Sequence, residues 1–271
     1  MMKKILLYSL LFISGLLFYA CEDDLKPYHE KTDRLNFVFE DYMVDTIVNY
    51  SFVYYQESRQ KDTVWLEVET MGYVVDYDRK IPFKQIATEG TQAVAGTHYV
   101  AFDDPEVAGW YVISAGKNKV RVPVVVKRDP SLKNETVTLK IGFAENEYFS
   151  LGYSDLGTKV ITISDFPTQP KHWNFLASYY FAGKYGKVKH QFMIDATASM
   201  GLLMDDDFFK KLVGNPNGVD MGLTDYWFGF FTKKLKEANA LRASQGLLPF
   251  REAPEEGEAE GKLVEFTQYQ M

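Results

Sequence analysis

The chain of 271 residues contains one cysteine, Cys21, and four histidines. A single thiol excludes an internal disulfide and a thiolate metal cluster. His29, His98, His172 and His190 follow no metal-ligand spacing, and there is no His-Glu-x-x-His. A Gly-x-Ser-x-Gly nucleophile elbow is missing, as are a phosphate-binding glycine loop and a dinucleotide fingerprint. Positive charge is also in short supply. Lys and Arg number 30 against 37 Asp and Glu, for a net charge of −7, whereas nucleic acid calls for a concentrated basic face. These absences lead to the expectation of a non-enzymatic chain without metal or cofactor. Apolar side chains are plentiful, at 46% with 15% aromatic, which supplies a packed core and excludes a disordered chain.

Residues 1–20 have the pattern of a secretory signal. Lys3 and Lys4 precede an uncharged run over residues 5–19, shorter than the ~20 residues of a membrane-spanning helix. The run ends in Phe18-Tyr19-Ala20-Cys21, which resembles a bacterial lipobox with Cys21 as the lipid-bearing residue. Two or three acyl chains give stable anchoring, each buried CH₂ adding about 0.8 kcal/mol. Glu22-Asp23-Asp24 follow at once and resemble the surface-export signal of Bacteroidota lipoproteins. Residues 21–32 are expected to form an acidic tether. The resulting address is the outer membrane, lipid-anchored and exposed at the cell surface.

Over residues 33–166 apolar and polar side chains alternate in segment after segment. Leu35, Phe37 and Phe39 form one set, Tyr50, Phe52 and Tyr54 another, and Val64, Leu66 and Val68 a third. Val120, Val122, Val124 and Val126, then Val137, Leu139, Ile141 and Phe143, continue the series to Ile161 and Ile163. Period two puts one side-chain set on each face of a sheet. Several such strands without helical segments between them predict a β-sandwich. Pro123 lies inside a strand and predicts an edge or a bulge there. Pro167 and Pro170 mark a boundary, and residues 171–271 read as a smaller α+β region. Within it, residues 187–195 are expected as a further strand and residues 205–213 as a short helix, with Asp205, Asp206 and Asp207 at its positive end. Residues 224–244 are expected as a longer helix capped by Thr224 or Asp225 and ended by Gly246. Residues 263–266 are expected to return as a strand beside residues 247–250.

Several blocks occur in the order of a Calx-beta-type repeat: Ala95-Gly96-Thr97-His98-Tyr99, Ser114-Ala115-Gly116, the strand around Val122, Glu135-Thr136-Val137, and Ile161-Thr162-Ile163-Ser164-Asp165. This resemblance implies an immunoglobulin-like sandwich. His98 replaces an acid of that family's calcium site, and only Asp165 is left of its terminal acidic run. More of the chain is similar to an uncharacterised family of Bacteroidota surface lipoproteins, catalogued as a domain of unknown function. The similarity rests on the acidic start, Asp62-Thr63-Val64-Trp65-Leu66-Glu67-Val68, Gly96-Thr97-His98-Tyr99 and Lys127-Arg128-Asp129-Pro130. Members are often found near SusC/SusD-type systems. That resemblance implies an accessory subunit of an outer-membrane uptake complex, partnered by a TonB-dependent transporter and a SusD-like protein. A stand-alone glycan- or peptide-binding lipoprotein is the alternative, and a hydrolase a third reading. Trp65 on the polar side of its strand, with Trp110 and Tyr111, are the candidate ligand or partner contacts. Trp173 and Trp227 sit in apolar contexts and are expected in the core. A binder predicts a concave site with exposed aromatics and convergent polar groups. A subunit predicts a large flat apolar patch.

Overall fold

The computed structural model describes residues 32–39, 47–152, 154–216 and 218–268. The expected signal sequence at residues 1–20, the expected lipid-bearing Cys21 and the acidic residues Glu22, Asp23 and Asp24 lie outside the described residues. The chain is mostly β, with several sheets and a small helical C-terminal region. The strands are β1 (Asp33–Phe37), β2 (Ile47–Ser51), β3 (Lys61–Met71), β4 (Arg79–Lys80), β5 (Phe83–Ile86), β6 (Val112–Ile113), β7 (Lys119–Lys127), β8 (Val137–Phe143), β9 (Phe149–Ser150) and β10 (Thr158–Ser164). One four-stranded sheet has the order β7-β3-β1-β9, a second β2-β10-β8-β5, and β4 pairs with β6. β1 with β9 and β2 with β10 run parallel, and the other pairs antiparallel.

A single hydrophobic cluster draws on both large sheets. Val64, Leu66 and Val68 of β3 and Val122, Val124 and Val126 of β7 meet Leu139, Ile141, Ile161 and Ile163 of the second sheet in this cluster. These are the apolar sets that alternation assigns to one face. β7 is an edge strand, as Pro123 predicts. The Pro123 carbonyl accepts a hydrogen bond from Tyr111 Oη at 2.9 Å. In an antiparallel ladder a residue's N–H and C=O point to the same side, so the missing N–H also faces that edge and the ladder to β3 loses nothing. The set Tyr50, Phe52 and Tyr54 is not one strand. β2 stops at Ser51, whose hydroxyl caps a 3-10 turn at Phe52–Tyr54.

The C-terminal region is built on a second hydrophobic cluster. An α-helical turn at Phe175–Ala177 runs into a π-helical turn at Ser178–Ala182. Then come α1 (Lys187–Thr197), α2 (Asp206–Val213) and α3 (Met221–Ser244). Trp173 and Trp227 are buried in this cluster. The expected strand at residues 187–195 is therefore corrected to a helix. Val188, His190, Phe192 and Ile194 mimic period two, but Met193 and Thr197 are buried as well. A face of that width fits a helix, not a strand. The expected cap of the long helix is corrected too. Asp220 caps α3 by accepting from Leu223 N at 3.0 Å, while Thr224 is buried one turn in. The expected return strand reduces to a single bridge between Arg251 and Leu263. α2 matches its expectation, with Asp205 as N-cap and Lys210 and Lys211 in its last turn. Gly246, at a φ of 72°, closes α3 with Leu247 N bonded back to Arg242 O.

The two clusters meet at the 3-10 turn, where Val53 and Tyr54 pack against the helical one. Asp165 at the end of the last strand is buried and gripped at both carboxylate oxygens by Arg128, at 2.8 and 2.6 Å. Arg128 also donates to Gln56 O beside the turn. This bidentate pair ties three separate stretches of chain together.

Candidate functional site

The outer face of β3 carries Trp65, Glu67 and Glu69, because the intervening valines and leucine face the core. Opposite them on β7 stand Pro123, Arg121 and Lys119 in register. Cross-strand and diagonal neighbours on one face of a sheet interact. Lys119 Nζ lies 3.7 Å from Glu67 and 3.8 Å from Glu69. The Arg121 guanidinium carbon lies 5.0 Å from the centre of the Trp65 ring, a cation–π distance. Trp110, in the 3-10 turn Ala108–Trp110, meets Trp65 edge to face, with centroids 6.2 Å apart and planes at 78°. Trp65 is 42% exposed and Trp110 58%.

Tyr111 is a correction. It is 4% exposed and belongs to the core, so it offers no surface to a ligand. Burial drives its hydroxyl well above the ordinary phenol range. Its bond to the Pro123 carbonyl instead fixes the turn that presents Trp110. Neighbouring residues thus divide the work, with one ring anchored inside and the other held out.

Beside the tryptophan pair lies a cleft of about 550 Å³, within the ~300–1,000 Å³ of small-molecule sites. Its walls take Phe37, Val38 and Phe39 from the end of β1, Ile47 and Val48 from β2, and Trp65, Leu66 and Glu67 from β3. Arg121 of β7, Lys159 of β10 and Lys210 of α2 complete it. The Lys159 ammonium sits over the Phe39 ring at 4.6 Å. The cleft therefore combines apolar walls, an exposed indole and charged groups from separate elements. Lys159 and Lys210 carry no motif and escape a reading of the sequence, because only the fold brings them to Trp65.

The other chemistry-bearing residues are committed to structure. His98 is buried, accepting from Val94 N at its Nδ1 and meeting Ser131 Oγ at 3.1 Å. His172 pairs with Asp206 at 2.8 Å. His190 is fully buried and donates from Nε2 to Met204 O at 2.7 Å, and burial pulls its pKa down to about 4. Asp205 is the α2 cap, and burial raises its carboxyl above the ordinary range. Among the described residues no group of three or more His, Cys, Asp or Glu is placed to hold a metal ion. Nor, among them, is any helix long and apolar enough to cross a membrane.

A larger cavity of about 670 Å³ lies where α1 begins, under residues 252–267. Burial pulls the Lys189 ammonium there down to about 8, and it donates to the Ala182 and Lys184 carbonyls. Glu252 accepts from Val188 N and Lys189 N and so caps α1, whose own N-cap residue is Gly186. Lys184, Glu255, Lys262 and Glu258 are linked by ion pairs along its rim. These contacts are the means by which the C-terminal segment is fastened to the helices.

A family model described as Domain of unknown function (DUF4843) matches residues 28–199, well over half of the chain. No curated protein matches. Among solved structures, a two-domain protein of unknown function from Bacteroides fragilis aligns at 9% identity and a TM-score of 0.32, over 49% of this chain and 46% of its own. A protein from Bacteroides ovatus, provisionally named carbohydrate binding, aligns at 14% and 0.31, over 51% and 38%. EndoBT-3987 from Bacteroides thetaiotamicron, solved with a Man5GlcNAc product, aligns at 9% and 0.30, over 45% and 28%. The chain thus spans less than half the length of each. Likenesses this slight leave the function to be argued from the chain's own residues.

Proposed function

We propose that this chain, which belongs to the DUF4843 family, is a lipid-anchored surface protein that holds glycan in the cleft beside Trp65 and Trp110. In this reading Cys21 carries the lipid and residues 22–32 are the tether. Residues 33–166 are an immunoglobulin-like, Calx-beta-like sandwich, and residues 171–271 buttress it. The role is binding, with no bond broken.

The carrying observation is an exposed indole, Trp65, in the wall of a concave, mixed-polarity cleft, with the exposed Trp110 packed edge to face against it. A pyranose ring offers an apolar face of C–H bonds and a rim of hydroxyls. An exposed indole accepts the first, and Glu67, Arg121 and Lys210 can hydrogen-bond the second. The test is binding of the detergent-solubilised full chain to a glycan array, with Trp65→Ala and Trp110→Ala compared with the parent. Retained binding in the Trp65→Ala, Trp110→Ala double variant would sink the reading.

A second reading is an accessory subunit of a SusC/SusD-type uptake complex. It draws on Leu241, Leu247 and Leu248, which are exposed around the end of α3. Co-purification of a tagged chain with a TonB-dependent transporter would support it, and recovery of the chain alone would count against it. The two readings are compatible, since the leucines and the tryptophan cleft belong to different elements.

A further inference from the structure

We infer that the glycan class suited to this cleft is anionic, bearing carboxylate or sulfate groups. The inference rests on the glycan-binding reading above and adds the sign of the charge. The chain as a whole is acidic, at −7. Among the described residues the cleft wall reverses that balance, with Arg121 and Lys210 against one acid, Glu67. Glu67 shares the Lys119 ammonium with Glu69.

Among the described residues neither Arg121 nor Lys210 has a carboxylate partner. Arg121 is held by the Trp65 ring instead, at 5.0 Å. Among the described residues the Arg121 N–H groups make no hydrogen bond or ion pair, which leaves the N–H fork, suited to carboxylate or sulfate geometry, for a ligand. A sugar stacked at Trp65 brings its ring substituents alongside this fork. Lys210, on α2 across the cleft, supplies a second point charge. The ring of Phe39 in the cleft wall excludes water locally and strengthens the field of both.

The test uses the full chain in detergent and three matched polymer pairs that differ in charge: polygalacturonate and its methyl ester, dextran sulfate and dextran, carboxymethyl- and hydroxyethylcellulose. Affinity is measured by calorimetry at low and high sodium chloride. At least one acidic member is expected to bind about ten-fold or more tightly than its neutral partner, the scale of one charge-assisted hydrogen bond. The advantage should shrink in salt. Arg121→Gln and Lys210→Gln should each remove most of it, and Trp65→Ala should weaken both members of the pair. Neutral members bound as tightly as acidic ones, in a Trp65-dependent way, would overturn the anionic inference and leave the glycan reading standing. An acidic preference that survives in the Arg121→Gln, Lys210→Gln double variant would overturn the assignment to this cleft. Binding of no member of any pair would overturn the inference, and array binding by the same preparation would show whether the glycan reading survives.

Discussion

Acidification should loosen the helical region through one residue, His190. The ring is fully buried among Tyr54, Trp173, Tyr185 and Phe209. Nε2 donates to the Met204 carbonyl, which assigns the proton to that nitrogen. Nδ1 is buried and makes no hydrogen bond, so it takes the second proton when the ring is charged. Burial lowers the pKa from 6.5 to about 4. At ~1.4 kcal/mol per pK unit the full effect is about 3 kcal/mol. Above pH 6.5 the neutral ring is present in both states and the stability is complete. As pH falls from 6.5 towards 4, the unfolded chain takes up a proton that the folded chain refuses, and stability drops. Below about 4 both states are protonated and the loss levels off. By pH 4.5 roughly 2.5 kcal/mol should be gone, which lowers a urea midpoint by about 1 M. The assay is urea unfolding followed by helical circular dichroism between pH 7.5 and 4.5. His190→Gln is the control, since its amide N–H can still donate to Met204 without titrating. Asp205, whose raised pKa acts in the opposite direction, is present in both proteins and cancels in the difference. Equal pH slopes for the two proteins would refute the reasoning.

Four further outcomes are expected. Arg128→Met strands the buried Asp165 carboxylate and should cost about 3–5 kcal/mol, read as a drop in denaturant midpoint. Glu252→Ala uncaps α1 and should cost about 1–2 kcal/mol, with faster amide exchange at Val188 and Lys189. Tyr111→Phe leaves the Pro123 carbonyl without its partner, at a cost of about 1–2 kcal/mol. It should also loosen the turn bearing Trp110, so that glycan affinity falls although residue 111 touches no ligand. Cys21→Ala should move the chain from the outer-membrane fraction to the soluble fraction of the native host, as would be seen by immunoblot.

The strands were readable because their information is local. In β3 alternate side chains are the buried ones, as the spacing of Val64, Leu66 and Val68 implies. The same locality made α2 readable, since Asp205 and the lysines of the last turn interact with their own helix. The cap of α3 was a local miss, Asp220 standing four residues before Thr224; at α1 and Tyr111 a distant contact had decided. α1 displays a period-two pattern, yet its first N–H groups are satisfied by Glu252, more than sixty residues away. Tyr111 and Trp110 are adjacent aromatics that the sequence does not tell apart. Tyr111 is held inward by the Pro123 carbonyl and by the Phe83 and Phe102 rings packed against it.

Gly261 makes the same point. A Cβ there would meet the Glu252 carbonyl oxygen at 1.6 Å, so glycine alone fits, and nothing nearby in sequence says so. By itself the sequence determined what repeats over a few residues: which faces of β3 and β7 are apolar, that Pro123 belongs on an edge or at a bulge, where α2 lies, and that α3 stops at Gly246. Side-chain alternation, caps and missing N–H groups act within one element and need no partner. Tertiary structure alone decided which elements meet, and so set Lys210 of α2 across a cleft from Trp65 of β3. That encounter depends on two hydrophobic clusters joining at Val53 and Tyr54, a packing event that no local pattern encodes.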